Sequence, residues 1–406
     1  MNVLTLNAGS SSIKFALFRR NPVLRCMLRG QVERIGQPDT AINVEAPHAS
    51  AGDGQIHARH PIPGDSFNTA AAELLMWLEA QPEFGRVAGV GHRVVHGMQH
   101  SQPEPVGEAL LDELRGLKAV DPDHLPGEIR LIELMRQRHP RAVQVACFDT
   151  AFHHDMPRVA QLLPIPRRYE ALGLRRYGFH GLSYGYLMEE LASTAGADAA
   201  NRRVVLAHLG SGASLAAVHA GHCIDTSMAF TPTAGLPMAT RSGDLDPGIA
   251  AHLARTEGMT AQRFYDLANH ESGLLGISET SGDMRDLLAA ETTDTRAAEA
   301  VSYFCYQVKK WIGAYAAALG GVDTLVFAGG IGEHAAPVRQ RICEGLGFLG
   351  IELDPQRNVV NAALISAGGS RVDVRVVHTD EELVIARAVS RELTRGAGDI
   401  PSEPRP

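Results

Sequence analysis

The chain has 406 residues, 45 % of them hydrophobic and 21 % charged, with a formal net charge of −8 and no apolar run long enough to span a bilayer. That length allows two domains with full cores, while the negative balance argues against nonspecific nucleic-acid binding and leaves any anionic substrate to be met by local positive charge. Cys26, Cys147, Cys223, Cys305 and Cys343 are odd in number, widely spaced and lack the Cys-x-x-Cys pair of zinc or redox sites, so they read as reduced, mostly buried thiols.

The N-terminus enters an apolar strand (Val3, Leu4, Leu6) without the basic, apolar and small-residue succession of a secretion signal, and the cytoplasm is the expected compartment. A tight turn, Asn7 to Ser12, leads to a second strand, Ile13 to Phe18. Gly9 lets the turn's N–H groups converge on an anion, Ser10, Ser11 and Ser12 add hydroxyls, and Lys14 adds charge just beyond. The turn matches neither the Walker pattern nor the dinucleotide glycine spacing, and taken alone it reads equally as a plain hairpin turn.

Leu74, Leu75 and Leu78 give a helical stripe over Ala70 to Ala80, followed by strand-like Val87 to Gly97. A period of two puts Arg93 and Val95 on one face, a cation beside a small apolar wall that suits a short carboxylic acid, with His92, Val94 and His96 on the other. The rival reading of His92 and His96 as a zinc pair lacks the helix and the glutamate that such a pair requires. A loop, Asp121 to Pro126, precedes a helix from Gly127 to Arg136. The strand Val143 to Phe148 then delivers Asp149 at its C-terminal end, either as a ligand-binding carboxylate or as the cap of the next turn.

Arg175 to Gly181 clusters two arginines, two aromatics and His180 before a helix starting near Ser183. Residues 204–218 repeat the opening hairpin around Gly210-Ser211-Gly212, which suggests two related halves. Asp246 and Pro247 fit the N-cap and first turn of a helix through Leu253, whereas Arg241, in the irregular stretch before it, has no structural duty and suits a phosphate clamp. Gly282-Asp283-Met284-Arg285 is followed by a long helix, Ala297 to Leu319, with so little charge that it reads as buried. A third glycine-rich turn, Ala328 to Glu333, follows the strand Thr324 to Phe327 and leads to a helix near Pro337. Three phosphate-competent turns after apolar strands point to a nucleotide held by two α/β lobes. Thr379 and Glu382 match a capping box for the last helix, which leaves Glu381 for the site, and the Pro/Gly-rich tail from Gly396 reads as disordered.

Placed together, Asn7 to Lys14, Gly91 to Gly97, Phe148 to His153, Arg176 to Gly181, His208 to Ser214, Asp225 to Pro232, Thr240 to Pro247, Asp283 to Arg285, Gly329 to Glu333 and Thr379 to Arg387 closely resemble acetate kinases, the acyl-phosphate-forming branch of the sugar-kinase, Hsp70 and actin superfamily. The resemblance implies two ribonuclease-H-like α/β lobes around a central cleft. The expected boundaries are 1–150 with 380–395 for the acid side and 151–379 for the nucleotide side, with 396–406 as the tail. It implies reversible, direct in-line phosphoryl transfer from ATP to acetate, with ATP/ADP as co-substrate, Mg2+ or its substitute Mn2+ as cofactor, and a homodimer; charge and composition add the expectation that neither nucleic acid nor membrane is a partner.

By the same resemblance, Arg93 and Arg241 hold the carboxylate and the moving phosphoryl group, His180 donates to the transition state, and Asp149 is the catalytic carboxylate or orients the metal and Arg241. Asn7 and Glu381 help to place Mg2+. Ser10, Ser12, Lys14, His208, Leu209, Gly210, Ser211, Gly212, Asp283, Met284, Arg285, Gly330, Ile331, Gly332, Glu333 and His334 bind nucleotide. Arg93, Val95, Asp123, His124, Phe179 and Pro232 line the acid pocket. The chain departs from the family pattern in having Asp123 and Leu125 in the Pro122 to Pro126 loop, Ser211 for an asparagine, Leu182-Ser183-Tyr184 for Thr-Ser-His, and His334 for an asparagine. Asp123 implies a more polar pocket, paired with His124 or a nearby arginine, and keeps propionate, butyrate or a hydroxy acid open as substrate. The alternative from another class is a non-catalytic nucleotide-binding protein of the Hsp70 and actin type, which has no need of an arginine pair with His180.

Overall fold

The computed structural model describes residues 1–9, 11–45 and 56–398. Ser10 and the expected tail beyond 398 lie outside the described residues; the last helix, Glu381–Gly398, extends past Gly396. The chain forms two compact units, Met1–Ala151 with Asp380–Pro406, and Phe152–Thr379.

The first unit contains β1 (Asn2–Ala8), β2 (Ile13–Asn21), β3 (Val23–Glu33), β4 (Ala41–Glu45), β5 (Ile56–Pro61), β6 (Val87–Val94), β7 (Glu104–Pro105) and β8 (Val143–Phe148). They form one sheet in the order β5-β4-β3-β2-β1-β6-β8-β7. β1 is antiparallel to β2 and parallel to β6, and β6 is parallel to β8. Alternate residues Leu4, Leu6 and Ala8 of β1 pack with Ile13, Phe15 and Leu17 of β2 against Leu74, Leu75 and Leu78 of the helix Phe67–Glu79 and Leu131 and Met135 of the helix Leu125–Arg138. The other face of β6 carries the C-terminal helix. A Cβ at Gly91 would lie 2.2 Å from Ile385, and one at Gly89 2.5 Å from Val389, so the two glycines set how closely this helix approaches the sheet. Arg93, two residues on, shares that face by strand alternation and so lies toward the start of the same helix.

The second unit contains β9 (Arg203–Leu209), β10 (Ala213–His219), β11 (His222–Thr226), β12 (Thr324–Ala328) and β13 (Asp373–Val376), in the order β11-β10-β9-β12-β13. Its antiparallel strands β11-β10-β9 and parallel strands β12 and β13 repeat the order β3-β2-β1-β6-β8 of the first unit, each sheet opening on a hairpin with a glycine turn. Leu187 and Leu191 of the helix Gly181–Ala195 pack on Val204, Leu206, Ala216 and Val218. The helix Thr295–Leu319 corrects the buried reading of its sequence: Val301, Phe304, Val308 and Ile312 face inward, but Tyr303 and Tyr306 are 42 % and 59 % exposed. Its low charge signalled one apolar stripe, not burial all round.

The C-terminal helix also corrects the expected capping box. Asp380, not Thr379, accepts the amide of Leu383 (3.0 Å) and additionally pairs with Arg29 (2.9 Å), while the Thr379 hydroxyl donates to Ser183 (2.8 Å). With Asp380 as the cap, Glu382 falls one position short of the capping-box partner.

Candidate active site

In the first unit Arg93 stands at the end of β6 and Asp149 directly after β8, because the parallel register pairs Arg93 with Cys147 and Val94 with Phe148. The Arg93 Nη2 donates to Asp149 Oδ2 at 2.8 Å, and Nη1 to the Ala8 carbonyl at 3.4 Å. Nη1 also reaches Glu128 Oε1 at 3.4 Å, and the other Glu128 oxygen accepts the amide of Val95 at 2.9 Å. Burial pulls the guanidinium toward neutrality, but Asp149, Glu128 and Glu381 outweigh it and hold the Arg93 charge more firmly than in a free arginine.

Glu128 was missed in the sequence, where it reads as one polar residue of a helix. It is buried, and burial pushes its carboxyl up to about 8 against the pull of Arg93. The unfolded chain therefore ionises this group first, and folding stability should fall as pH rises from about 4.5 to about 8, with no contribution lost below that window. Glu128→Gln is expected to make the thermal midpoint less dependent on pH across this range; an unchanged slope in calorimetric scans would show that Arg93 keeps Glu128 ionised throughout.

Asn7, at the end of β1, donates to Glu381 Oε2 at 3.0 Å. Burial first and the nearby Asp149 second raise the Glu381 carboxyl, while Arg93 and Lys14 oppose the rise. These oxygens are a hard-donor set that fits Mg2+ or Mn2+ rather than zinc. His92 donates from Nε2 to Gln144 (2.8 Å) and His96 accepts the Met98 amide on Nδ1 (3.2 Å), so each has a structural role. The opening turn closes through the Gly9 amide to Ser12 (2.8 Å), with Lys14 exposed opposite Asn7 in the β1–β2 ladder. The expected 121–126 loop ends at His124, because the helix starts at Leu125 rather than Gly127; His124 donates through Nδ1 to Asp121 (2.8 Å), a partner that the sequence did not single out, and Asp123 is half-buried. Val95 is buried in this unit; Phe179 and Pro232, the other expected walls, belong to the second.

In the second unit His180 precedes the helix Gly181–Ala195 in a left-handed conformation (φ 58°). Its Nδ1 lies 2.9 Å from Ser214 Oγ and its ring 4.3 Å from that of His208. A Cβ at Gly212 would lie 3.2 Å from His180 Nε2 and 3.8 Å from Arg241 Nη1, so His180, Arg241 and the 210–212 turn surround one small space. Arg241 donates to the Pro232 carbonyl (3.2 Å) and contacts Met238 Sδ (3.7 Å). Arg176, by contrast, is committed to the carbonyls of Thr226, Ser227 and Met228.

The turn after β12 is itself a short helix, Gly329–His334. Gly329 is required there: its φ is 74°, and a Cβ would meet the Leu209 carbonyl oxygen at 2.7 Å. That approach brings the 330 amide beside the 210–212 turn, a Cβ at Gly210 lying 3.8 Å from Gly330 N. Glu333 is used internally: one oxygen accepts the Gly329 amide (2.9 Å) and the other pairs with His378 (2.7 Å), while His334 is exposed beside it. Glu333 was expected at the nucleotide; in the structure its carboxylate pins the 329–333 turn. Asp283 caps the helix Met284–Ala290 and pairs with Arg285, which holds its carboxyl below the usual range. Met284 is buried.

The model of the acetokinase family matches residues 2–387. The chain is 44 % identical over 398 residues to the acetate kinase of Rhodopseudomonas palustris, covering 96 % of this chain and 98 % of that one. It is 41 % identical to the propionate kinase of Citrobacter rodentium, covering 96 % of each. The crystal structure of Porphyromonas gingivalis acetate kinase is similar at a TM-score of 0.84, with 34 % identity, over 97 % of this chain and 99 % of that one.

Proposed function

The chain belongs to the acetokinase family, and from that premise we infer that it is an ATP-dependent kinase that phosphorylates acetate to acetyl phosphate. The observation that carries the reading is Arg93, a guanidinium fixed at 2.8 Å to Asp149 and braced by Glu128, a charge kept in place for a small carboxylate.

In the reaction, a carboxylate oxygen of acetate bonds to the γ-phosphorus of ATP as the bridging bond to the β-phosphate breaks, giving acetyl phosphate and ADP. The protein's part is to position reactants and neutralise the equatorial oxygens. Arg93 orients the acid, and Asp149 holds Arg93 in register. Amides of the 210–212 and 330–332 turns cradle the nucleotide phosphates, while Arg241 and His180 Nε2 meet the moving phosphoryl group. Bound Mg2+, held through Asn7 and Glu381, would add charge neutralisation on the phosphates. Glu381→Gln is therefore expected to raise the Mg2+ concentration for half-maximal rate, whereas Glu382→Gln should leave it near wild type; equal responses in a metal titration would remove Glu381 from this role.

The test of the whole reading is acyl phosphate trapping with hydroxylamine, using ATP and a panel of acetate, propionate, butyrate and glycolate. Acetyl hydroxamate as the main product is expected, and no hydroxamate from any acid would overturn the assignment. A second reading, preference for a short polar acid, is favoured by Asp121, Asp123, His124 and Glu128 on one short segment of the acid-side unit, and a lower KM for glycolate than for acetate would establish it. No described helix is long and apolar enough to cross a membrane. The same reading expects a cytoplasmic homodimer, checked by sedimentation equilibrium.

A further inference from the structure

The hydroxyl of Tyr184 reaches His180 through one intermediary. Tyr184 follows His180 by one helical turn, its amide donating to the His180 carbonyl at 3.0 Å. Ser214 comes from β10, opposite His208 in the β9–β10 ladder. The Ser214 hydroxyl lies 2.5 Å from the Tyr184 hydroxyl and 2.9 Å from His180 Nδ1, and both Tyr184 and Ser214 are fully buried.

A serine hydroxyl has one proton, so Ser214 can donate in only one of these directions. A phenol is the stronger acid and its oxygen the weaker acceptor, because the lone pair is delocalised into the ring; the favoured order is Tyr184 donating to Ser214 and Ser214 donating to Nδ1. An Nδ1 that accepts leaves the proton of a neutral imidazole on Nε2, the nitrogen directed at the Gly212 turn and Arg241. We propose that Tyr184, acting through Ser214, is a positioning residue that holds neutral His180 in its Nε2–H tautomer, ready to donate to a phosphoryl oxygen. This rests on the donor role assigned to His180 above. Charged and titratable groups near the ring include Arg241 across the 210–212 turn and His208, whose ring is tilted against it at 4.3 Å and whose Nδ1 is engaged by Ser183, which in turn accepts from Thr379.

Tyr184→Phe removes the phenolic proton but keeps the ring against Phe152 and His153. Ser214 then loses the accepted hydrogen bond that strengthens it as a donor to Nδ1, and the neutral ring divides between its tautomers, while the imidazolium carries a proton on Nε2 in either case. The variant should lose roughly threefold to tenfold in kcat relative to wild type near pH 8.5 and less than about twofold near pH 5.5, with KM for acid and ATP unchanged. In 15N-histidine spectra, with the His180 signals assigned by their absence in His180→Gln, Nε2 should be protonated in wild type and mixed in Tyr184→Phe. Ser214→Ala should give the same mixing, and it serves if Tyr184→Phe does not fold. A wild-type tautomer and pH profile in both variants would overturn the proposal. Full activity in His180→Gln would instead remove the donor role of His180, and the tautomer result would still be readable from the spectra.

Discussion

Arg241→Ala is expected to lose on the order of a thousandfold in kcat/KM. The Arg241 side chain donates to the Pro232 carbonyl and contacts Met238 Sδ. The loop that carries it is also held by backbone bonds: Met238 N to the Arg241 carbonyl (2.9 Å) and Ser272 N to the Thr240 carbonyl (2.9 Å). The substitution takes away the charge beside the 210–212 turn while these backbone bonds remain. Charge on the phosphoryl oxygens grows toward the transition state, so the loss should fall on kcat more than on KM for ATP. Near-normal acyl phosphate formation by purified, folded Arg241→Ala would end the assignment.

Arg93→Ala should lose a similar factor in activity and also destabilise the fold by about 3–5 kcal/mol. Arg93 is the cation beside the buried Asp149, and beside the buried Glu128 as well once that carboxyl ionises near pH 8. The stability cost belongs to the carboxyls left behind rather than to the salt bridge itself, which makes a further variant informative. Adding Glu128→Gln to Arg93→Ala should restore part of the stability above about pH 8 and none of the activity. Arg93→Lys, which keeps the charge but loses the forked geometry toward Asp149, should recover stability better than turnover. Denaturant midpoints and acetate-dependent kinetics on the same preparations separate these effects. If the double variant regained activity, Arg93 would be a structural brace and the acid would have to be held elsewhere.

Short-range physics made much of this protein legible in its sequence. Alternating apolar residues fixed both opening hairpins, glycine turns marked where the backbone approaches an anion or another strand, and Asp246 with Pro247 marked a helix start that the structure reproduces. The long sequence motifs carried the resemblance to the family and, through it, nominated Arg93, Asp149, His180 and Arg241. Tertiary structure decided what depends on partners distant in the chain. Glu128 became part of the Arg93 cluster only when the parallel pairing of β6 with β8 and the packing of the helix Leu125–Arg138 brought together residues 35 and 21 positions from it. The cap of the last helix moved from Thr379 to Asp380 because Ser183, 196 residues away, engages one hydroxyl and Arg29 adds an ion pair to the other candidate. Tyr184 and Ser214 met for the same reason. Periodicity and capping report on neighbours within one or two turns of chain, whereas the register of a sheet selects which remote side chains share a few ångströms of space, and that selection belongs to the fold as a whole.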